Sequence, residues 1–198
     1  MDSKILNAMK DHVLELGPAP SSGPYRHFKL TRDEDGIAWL LFDREGANAN
    51  TLSTEVLEEF SQILVALENE RPTGLVIRSA KRSGFIAGAD INEFRGLSDT
   101  SLVEQQLGRG HEILNRLENM KLPTVAVIHG FCLGGGLEVV LACNMRIAID
   151  GARFGFPEVL LGLHPGFGGT ARSTHLFNPV EAMTMMLTGK TVEARKAK

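Results

Sequence analysis

The sequence lacks the features that mark secreted, membrane-spanning and nucleic-acid-binding proteins. Its 198 residues include only two cysteines, one tryptophan and one tyrosine. Cys132 and Cys143 have neither a metal-ligand nor a disulfide-framework spacing, so we expect reduced thiols in a reducing compartment. No apolar run reaches the roughly 18 residues of a transmembrane helix, and there is no signal-peptide core or basic stripe. We therefore expect a cytoplasmic protein with no transmembrane segment and no nucleic-acid partner.

The length and composition predict one globular domain preceded by a short appendage. The net charge is −3, and 43% hydrophobic with 23% charged residues is ordinary for a globular protein. Apolar side chains recur at helical spacing over residues 4–16, and residues 17–24 are rich in proline and glycine. We therefore assign residues 1–24 to an N-terminal helix and linker, and residues 25–198 to the main domain.

Short apolar runs alternate with helical patterns along the main domain, which predicts the α/β class. The predicted strands are residues 28–31, 37–42, 75–77, 125–128 and 145–149. The predicted helices are residues 53–69, 91–97, 101–120 and 179–187. In the first of these, Ser53 is the predicted N-cap, and the predicted buried stripe is Val56, Phe60, Ile63, Leu64 and Leu67. In the last helix, we interpret Met183, Met186 and Leu187 as an apolar face that fills the core.

The stretch 125–143 carries the first candidate site. A β-branched apolar run is followed by three glycines at 134–136 and then by an apolar helical pattern with one carboxylate, Glu138. A strand that leads through a glycine turn into a helix directs free backbone N–H groups at a ligand. A lone glutamate among leucine, valine and alanine is costly to bury unless it has a partner or a task.

A second acid, Glu158, lies in an apolar segment after Pro157. Each glutamate could be a structural carboxylate paired with Arg146, Arg153 or Arg172. Together, beside two glycine-rich segments, they also fit a general acid/base pair with raised pKa values. The Gly135 N–H and a donor from the turn 87–90 could stabilise negative charge that develops on a substrate.

Other motifs favour no further site. The Gly-x-Gly-x-x-Ala pattern at 166–171 does not follow a strand, so it does not indicate a dinucleotide site. We expect no metal site, because the histidines lack metal-ligand spacing. His129 is predicted to end a strand with its ring hydrogen-bonded, and Cys132 to be a buried thiol without a catalytic frame.

Three segments resemble the crotonase (enoyl-CoA hydratase/isomerase) superfamily. They are Phe-Ile-Ala-Gly-Ala-Asp-Ile at 85–91, the stretch from His129 to Glu138, and Phe-Pro-Glu followed by Val-Leu-Leu-Gly-Leu-His-Pro-Gly-Phe-Gly-Gly-Thr at 156–170. The first is most similar in form to the N-terminal part of multifunctional fatty-acid-oxidation α subunits. The resemblance implies a crotonase-like spiral of repeated ββα units. It also implies that C-terminal helices present in the family lie beyond residue 198, and hence a truncated domain.

The resemblance also implies the chemistry. The substrate would be an acyl-CoA thioester whose oxygen is bound by the Ala87 and Gly135 N–H groups, within a substrate-binding set of Ala87, Gly88, Ala89, Asp90 and Gly135. Glu138 would act on the water that is added at the β carbon, and Glu158 would act on the proton at the α carbon.

The expected reaction is the reversible hydration of trans-2-enoyl-CoA to 3-hydroxyacyl-CoA in fatty-acid β-oxidation. The alternatives are Δ3–Δ2 enoyl-CoA isomerisation, or a truncated acyl-CoA-binding or assembly module without activity. The resemblance implies no cofactor in this chain, with NAD only if a dehydrogenase domain follows. It further implies a homotrimer or larger complex of the intact protein, which could include a thiolase subunit.

Overall fold

The computed structural model describes residues 13–21, 23–93 and 100–197. Within this part of the chain there are nine strands and five α-helices. The strands are β1 (Phe28–Arg32), β2 (Ile37–Phe42), β3 (Gly74–Ser79), β4 (Gly84–Ile86), β5 (Thr124–Ile128), β6 (Phe131–Leu133), β7 (Met145–Ala148), β8 (Arg153–Gly155) and β9 (Val192–Glu193). The helices are α1 (Thr54–Glu70), α2 (Thr100–Glu118), α3 (Gly135–Ala142), α4 (Gly169–Leu176) and α5 (Pro179–Thr188).

The chain repeats a strand–strand–helix unit. The first strand of each unit joins a five-stranded sheet in the order β1-β2-β3-β5-β7, which is parallel except for the β1–β2 hairpin. In the first unit both strands, β1 and β2, belong to this sheet. In the later units the second strand, β4, β6 or β8, joins a smaller parallel sheet that β9 extends in the antiparallel direction. The α/β class and the repeated ββα units are therefore confirmed.

Buried side chains of the larger sheet and of the helices belong to one hydrophobic core. In register, Leu40 lies beside Ile77 and Ile77 beside Ala126, and all three side chains are buried. Helix α1 begins after Ser53, whose hydroxyl accepts the Val56 N–H at 3.3 Å. Its predicted core stripe is buried throughout. None of the helices in the described ranges is long and apolar enough to cross a membrane.

Most predicted elements are confirmed within a few residues, but several are not. The strands β4, β6 and β8, each three residues long, were not predicted as strands. The predicted apolar face of the last helix is wrong, because Met183 and Leu187 are exposed and Met185 is the buried methionine. Residues 4–12 of the predicted first helix and residues 94–97 of the 91–97 helix lie outside the described residues. Residues 13–15 form a short 3-10 turn.

Candidate active site

The turn between β6 and α3 brings the glycine triplet against other segments of the chain. Gly134 has φ +52°, and a Cβ there would lie 2.9 Å from Glu158 Oε1. A Cβ on Gly136 would lie 2.6 Å from the Ile86 Cβ, in collision with β4. Two of the three glycines are therefore required by close approach: one lets Glu158 reach the turn, and the other lets α3 pack against the small sheet.

Glu138, in the first turn of α3, is 1% exposed. Its Oε1 accepts two backbone N–H groups, from Phe167 and from Gly169, each at 2.7 Å. Burial raises the pKa of Glu138 from 4.5 to about 7; the two N–H groups and Arg172 oppose that rise, and the charge of Glu158 adds to it. The carboxyl group can therefore both accept and donate a proton near neutral pH.

Glu158 lies in the 3-10 turn Pro157–Leu161. Its Oε1 is the atom close to Gly134, and its Oε2 is buried with no hydrogen-bond partner among the described residues. Burial raises the pKa of Glu158, and the nearby His164 opposes the rise. An unpartnered carboxyl oxygen in a buried setting is free to bind or carry a proton of a bound molecule.

The alternative of two structural ion pairs is wrong. Within the described ranges neither glutamate forms a salt bridge with an arginine. Arg146 donates to the carbonyls of Val140 and Cys143, Arg153 pairs with Glu193, and Arg172 pairs with Glu118. Glu138 is therefore buried and Glu158 half-buried, and neither has an arginine in contact, which is a condition that raises their pKa values.

Two backbone donors lie beside the acids. The Gly135 N–H, at the start of α3, and the Ala89 N–H have no hydrogen-bond partner in the part of the chain that the structure describes. A Cβ placed on Gly135 would lie 3.8 Å from the Ala89 nitrogen, so the two segments are adjacent. A free N–H at a helix N-terminus, with a second free N–H beside it, can stabilise an oxyanion.

The prediction that Ala87 supplies the second donor is wrong. The Ala87 N–H donates to the Asn50 carbonyl at 2.8 Å, so it is already satisfied. The Leu52 N–H donates to the Gly88 carbonyl, and the Asp90 N–H donates to the Leu52 carbonyl, each at 2.9 Å. The two bonds to Leu52 come from Gly88 and Asp90, the residues on either side of Ala89. The N–H of Ala89 therefore points away from Leu52. The turn does offer a donor, but two residues later than predicted.

The remaining predicted residues have structural roles in this part of the fold. The Gly88 carbonyl holds Leu52, and the Asp90 carboxylate pairs with Arg44 at 2.7 Å, which lowers the pKa of Asp90. His129 directly follows the end of β5, and its Nε2 lies 2.7 Å from the Lys81 carbonyl oxygen, so the ring is hydrogen-bonded as predicted. Cys132 is buried, also as predicted.

Asn50 was not predicted as a site residue, but it organises the turn 87–90. Its buried Nδ2 lies within hydrogen-bond distance of the Phe42 carbonyl, the Ser79 hydroxyl and the Phe85 carbonyl, at 2.9–3.2 Å. Its own carbonyl holds Ala87. The only sequence signal is an asparagine in a loop between a strand and a helix, which is too common to indicate this role.

Comparisons with known proteins identify the family of this chain. The sequence profile of the family described as enoyl-CoA hydratase/isomerase matches residues 32–198. The fatty acid oxidation complex subunit alpha of Shewanella sp. (strain W3-18-1) is 44% identical over 176 residues, which are 86% of this chain. The corresponding subunit of Shewanella oneidensis is 44% identical over 173 residues. The chain spans only about a quarter (24%) of the length of these curated relatives.

Solved structures show the same fold. An enoyl-CoA hydratase from Bacillus anthracis is 32% identical, with a TM-score of 0.80 over 87% of this chain and 66% of that one. An enoyl-CoA hydratase from Thermoplasma volcanium is 26% identical, with a TM-score of 0.81 over 87% of this chain and 68% of that one. With the family profile covering most of its length, this chain belongs to the enoyl-CoA hydratase/isomerase (crotonase) family.

Proposed function

We propose that the chain carries the site for reversible hydration of trans-2-enoyl-CoA to 3-hydroxyacyl-CoA. The observation that supports this most strongly is the convergence of two carboxyl groups, one buried and one half-buried, on two free backbone donors. Glu138 and Glu158 have raised pKa values, and the Gly135 and Ala89 N–H groups lie beside them. An enoyl thioester needs this combination, because a proton and a hydroxyl group must be added while its carbonyl oxygen gains charge.

The thioester oxygen would accept both N–H groups. As water attacks C3, the electron pair of the C2–C3 double bond moves toward the thioester and the carbonyl oxygen becomes an enolate oxygen. Fixed N–H dipoles stabilise this charge more than the neutral carbonyl, so they accelerate the reaction rather than only binding the substrate.

The two glutamates would divide the proton transfers. Ionised Glu138 accepts one proton of the attacking water while the water oxygen bonds to C3. Protonated Glu158 donates its proton to C2, which completes the 3-hydroxyacyl thioester. The charge of Glu158 raises the pKa of Glu138, so the two ionisations oppose each other. Both acids return to their starting states by proton exchange with solvent, and the balanced reaction needs no cofactor beyond the CoA of the substrate.

Δ3–Δ2 enoyl-CoA isomerisation is the second candidate. It requires one group that removes a proton from one carbon and returns it to another. The buried Oε2 of Glu158, which has no partner among the described residues, fits that task. The same oxyanion donors would serve both reactions, so the two activities can coexist in one site.

The assembly and setting of the whole protein are further proposals. The relatives are named as subunits of a fatty acid oxidation complex. By analogy we propose a role in fatty-acid β-oxidation in the cytoplasm, as part of a larger polypeptide that forms a homotrimer or a complex with a thiolase subunit. NAD would then belong to a dehydrogenase domain outside this chain.

The decisive experiment follows the loss of ultraviolet absorbance of crotonyl-CoA as its double bond is hydrated. Glu138→Gln and Glu158→Gln should each lower kcat by about 10²-fold or more, as for loss of a general acid or base. Glu34→Gln, an exposed acid in the β1–β2 turn, is the matched control and should leave kcat unchanged.

Three outcomes would contradict the proposal or part of it. Full hydratase activity in both site variants would remove the acid/base roles. Conversion of 3-enoyl-CoA without hydration of crotonyl-CoA would make the chain an isomerase. Binding of crotonyl-CoA without turnover by the wild type would make it a binding module.

A further inference from the structure

The loop 166–169 controls where the Glu138 carboxylate lies. Both donors to Glu138 Oε1, Phe167 N–H and Gly169 N–H, come from this loop. Gly168 lies between them with φ +96°, a conformation that other residues rarely adopt. Two donors can converge on one oxygen only if the loop keeps this conformation, so whatever fixes the loop also fixes the carboxylate.

Arg172, in α4, ties that loop to α2. Its Nη1 donates to the Phe167 carbonyl at 2.8 Å. Its Nε and Nη2 donate to Glu118 Oε2 at 3.0 and 2.8 Å, and Nη2 also donates to Asn115 Oδ1 at 2.7 Å. The Arg172 side chain is 8% exposed. Phe167 is therefore held on both sides, with its N–H bound to Glu138 and its carbonyl bound to Arg172.

Resting on the proposed function, we propose that Arg172 is a positioning residue that acts on Glu138 through the loop 166–169 and through its charge. It touches neither the acid nor a position where the substrate would react. It holds the peptide groups that bind the carboxylate, and its positive charge favours the ionised form that would accept the proton from water.

Few groups compete with Arg172 for this electrostatic role. The charged group that faces Glu138 from the 3-10 turn is Glu158, and Arg172 faces it from α4. From α2, His111 lies against the loop, with its Cε1 3.7 Å from a Cβ placed on Gly168. Burial raises the pKa of Glu138, and Arg172 opposes that rise. Removing the guanidinium charge should therefore raise the pKa of Glu138 further.

Substitution of Glu118 should shift the pKa of Glu138 in the direction opposite to that caused by substitution of Arg172. Its carboxylate neutralises Arg172 from the exposed side, and its own side chain is 47% exposed. Glu118→Gln keeps an oxygen that can accept the Arg172 N–H groups but removes the negative charge. The uncompensated guanidinium should then favour ionised Glu138 more strongly. A residue that only held the fold together would not produce opposite pH shifts in the two variants.

The experiment measures kcat and KM for crotonyl-CoA against pH, with the full chain. Arg172→Met should move the acid limb of the profile up by about one pH unit and lower kcat about tenfold, with KM changed less than about twofold. Glu118→Gln should move the acid limb down by a fraction of a unit. Arg172→Lys keeps the positive charge, so its acid limb should lie close to that of the wild type, while its kcat should stay below the wild-type value. The control Arg116→Met removes another arginine-containing ion pair, the one that joins α2 to Glu68 of α1, and should move neither the acid limb nor kcat.

An independent readout separates this inference from the proposed function. The difference between the infrared spectra of the wild type and Glu138→Gln identifies the carboxyl band of Glu138. The change of this band with pH reports the ionisation of Glu138 without any substrate. If the wild type has no hydratase activity but Arg172→Met still raises the infrared midpoint, the proposed reaction fails and the positioning role stands. Superimposable titrations of wild type, Arg172→Met and Glu118→Gln would overturn the inference. Should Arg172→Met fail to fold, Glu118→Gln and Arg172→Lys carry the same test.

Discussion

Replacing Glu138 by glutamine should stabilise the folded chain at neutral and alkaline pH while removing its activity. The carboxyl is 1% exposed, and burial raises its pKa from 4.5 to about 7. Glutamine has nearly the same shape and keeps an oxygen that can accept the Phe167 and Gly169 N–H groups. The substitution therefore isolates the free energy of ionising an acid in this buried position.

The sign and size of the effect follow from the two pKa values. Because the folded-state pKa is raised, the fold favours the protonated acid; this stability is present below 4.5 and is lost as the pH rises through about 7. The difference, about 7 minus 4.5, is about 2.5 units. At roughly 1.36 kcal/mol per unit, this corresponds to about 3 kcal/mol of unfolding free energy.

Urea denaturation followed by circular dichroism, repeated from pH 5 to pH 8, measures this difference. The unfolding free energy of Glu138→Gln minus that of the wild type should grow from about 1 kcal/mol at pH 5 to about 3 kcal/mol at pH 8. Glu34→Gln, at an exposed turn, should follow the wild type at every pH. A difference for Glu138→Gln that stays constant with pH would refute the reasoning, because it would mean that the carboxyl ionises equally easily in the folded and unfolded chain.

Two further substitutions test the segments that build the site. Asn50→Ala removes a buried amide that binds three segments of the chain and should lower the unfolding free energy by about 2–4 kcal/mol. The control Asn119→Ala removes an exposed amide and should change the unfolding free energy little. Equal urea midpoints for the two variants would argue against the role of Asn50. Gly134→Ala places a Cβ 2.9 Å from Glu158 Oε1 and should lower hydratase kcat at least about tenfold. The control Gly151→Ala, with φ +86° but open space around it, imposes similar backbone strain without that contact. Equal losses of kcat in the two variants would show that backbone strain alone causes the effect.

Periodicity in the sequence was sufficient for the larger sheet and the long helices. Helix α1 has its predicted stripe of apolar residues buried and its predicted cap at Ser53. The strand β5 lies within one residue of its prediction. In these elements the buried face repeats with the period of the element itself, so a local pattern carries the structural information.

The smaller sheet was not predictable by the same means. Its strands β4, β6 and β8 have three residues each, and two of them begin or end at glycine. Three residues are too few for a period to be recognised, and their backbone partners come from other repeats of the chain. Long-range hydrogen bonds define them rather than local preference.

The position of the second oxyanion donor was also not predictable from the sequence. The sequence identifies the turn 87–90, and its resemblance to a known family points to Ala87. The structure shows that Ala87 bonds to Asn50 and that the Ala89 N–H is the free one. In extended backbone, successive N–H groups point in opposite directions, so the partner strand decides which ones are free.

The sequence by itself determined the α/β class, the repeated alternation of strands and helices, and the two unusual acids in apolar surroundings. These follow from residue type and spacing along the chain. Only the tertiary structure decided that the acids have no arginine in contact, that one of them is held by the loop 166–169, and that Arg172 ties this loop to a distant helix. Burial, electrostatic interaction and hydrogen-bond geometry depend on distances between segments far apart in sequence, and those distances exist only once the chain is folded.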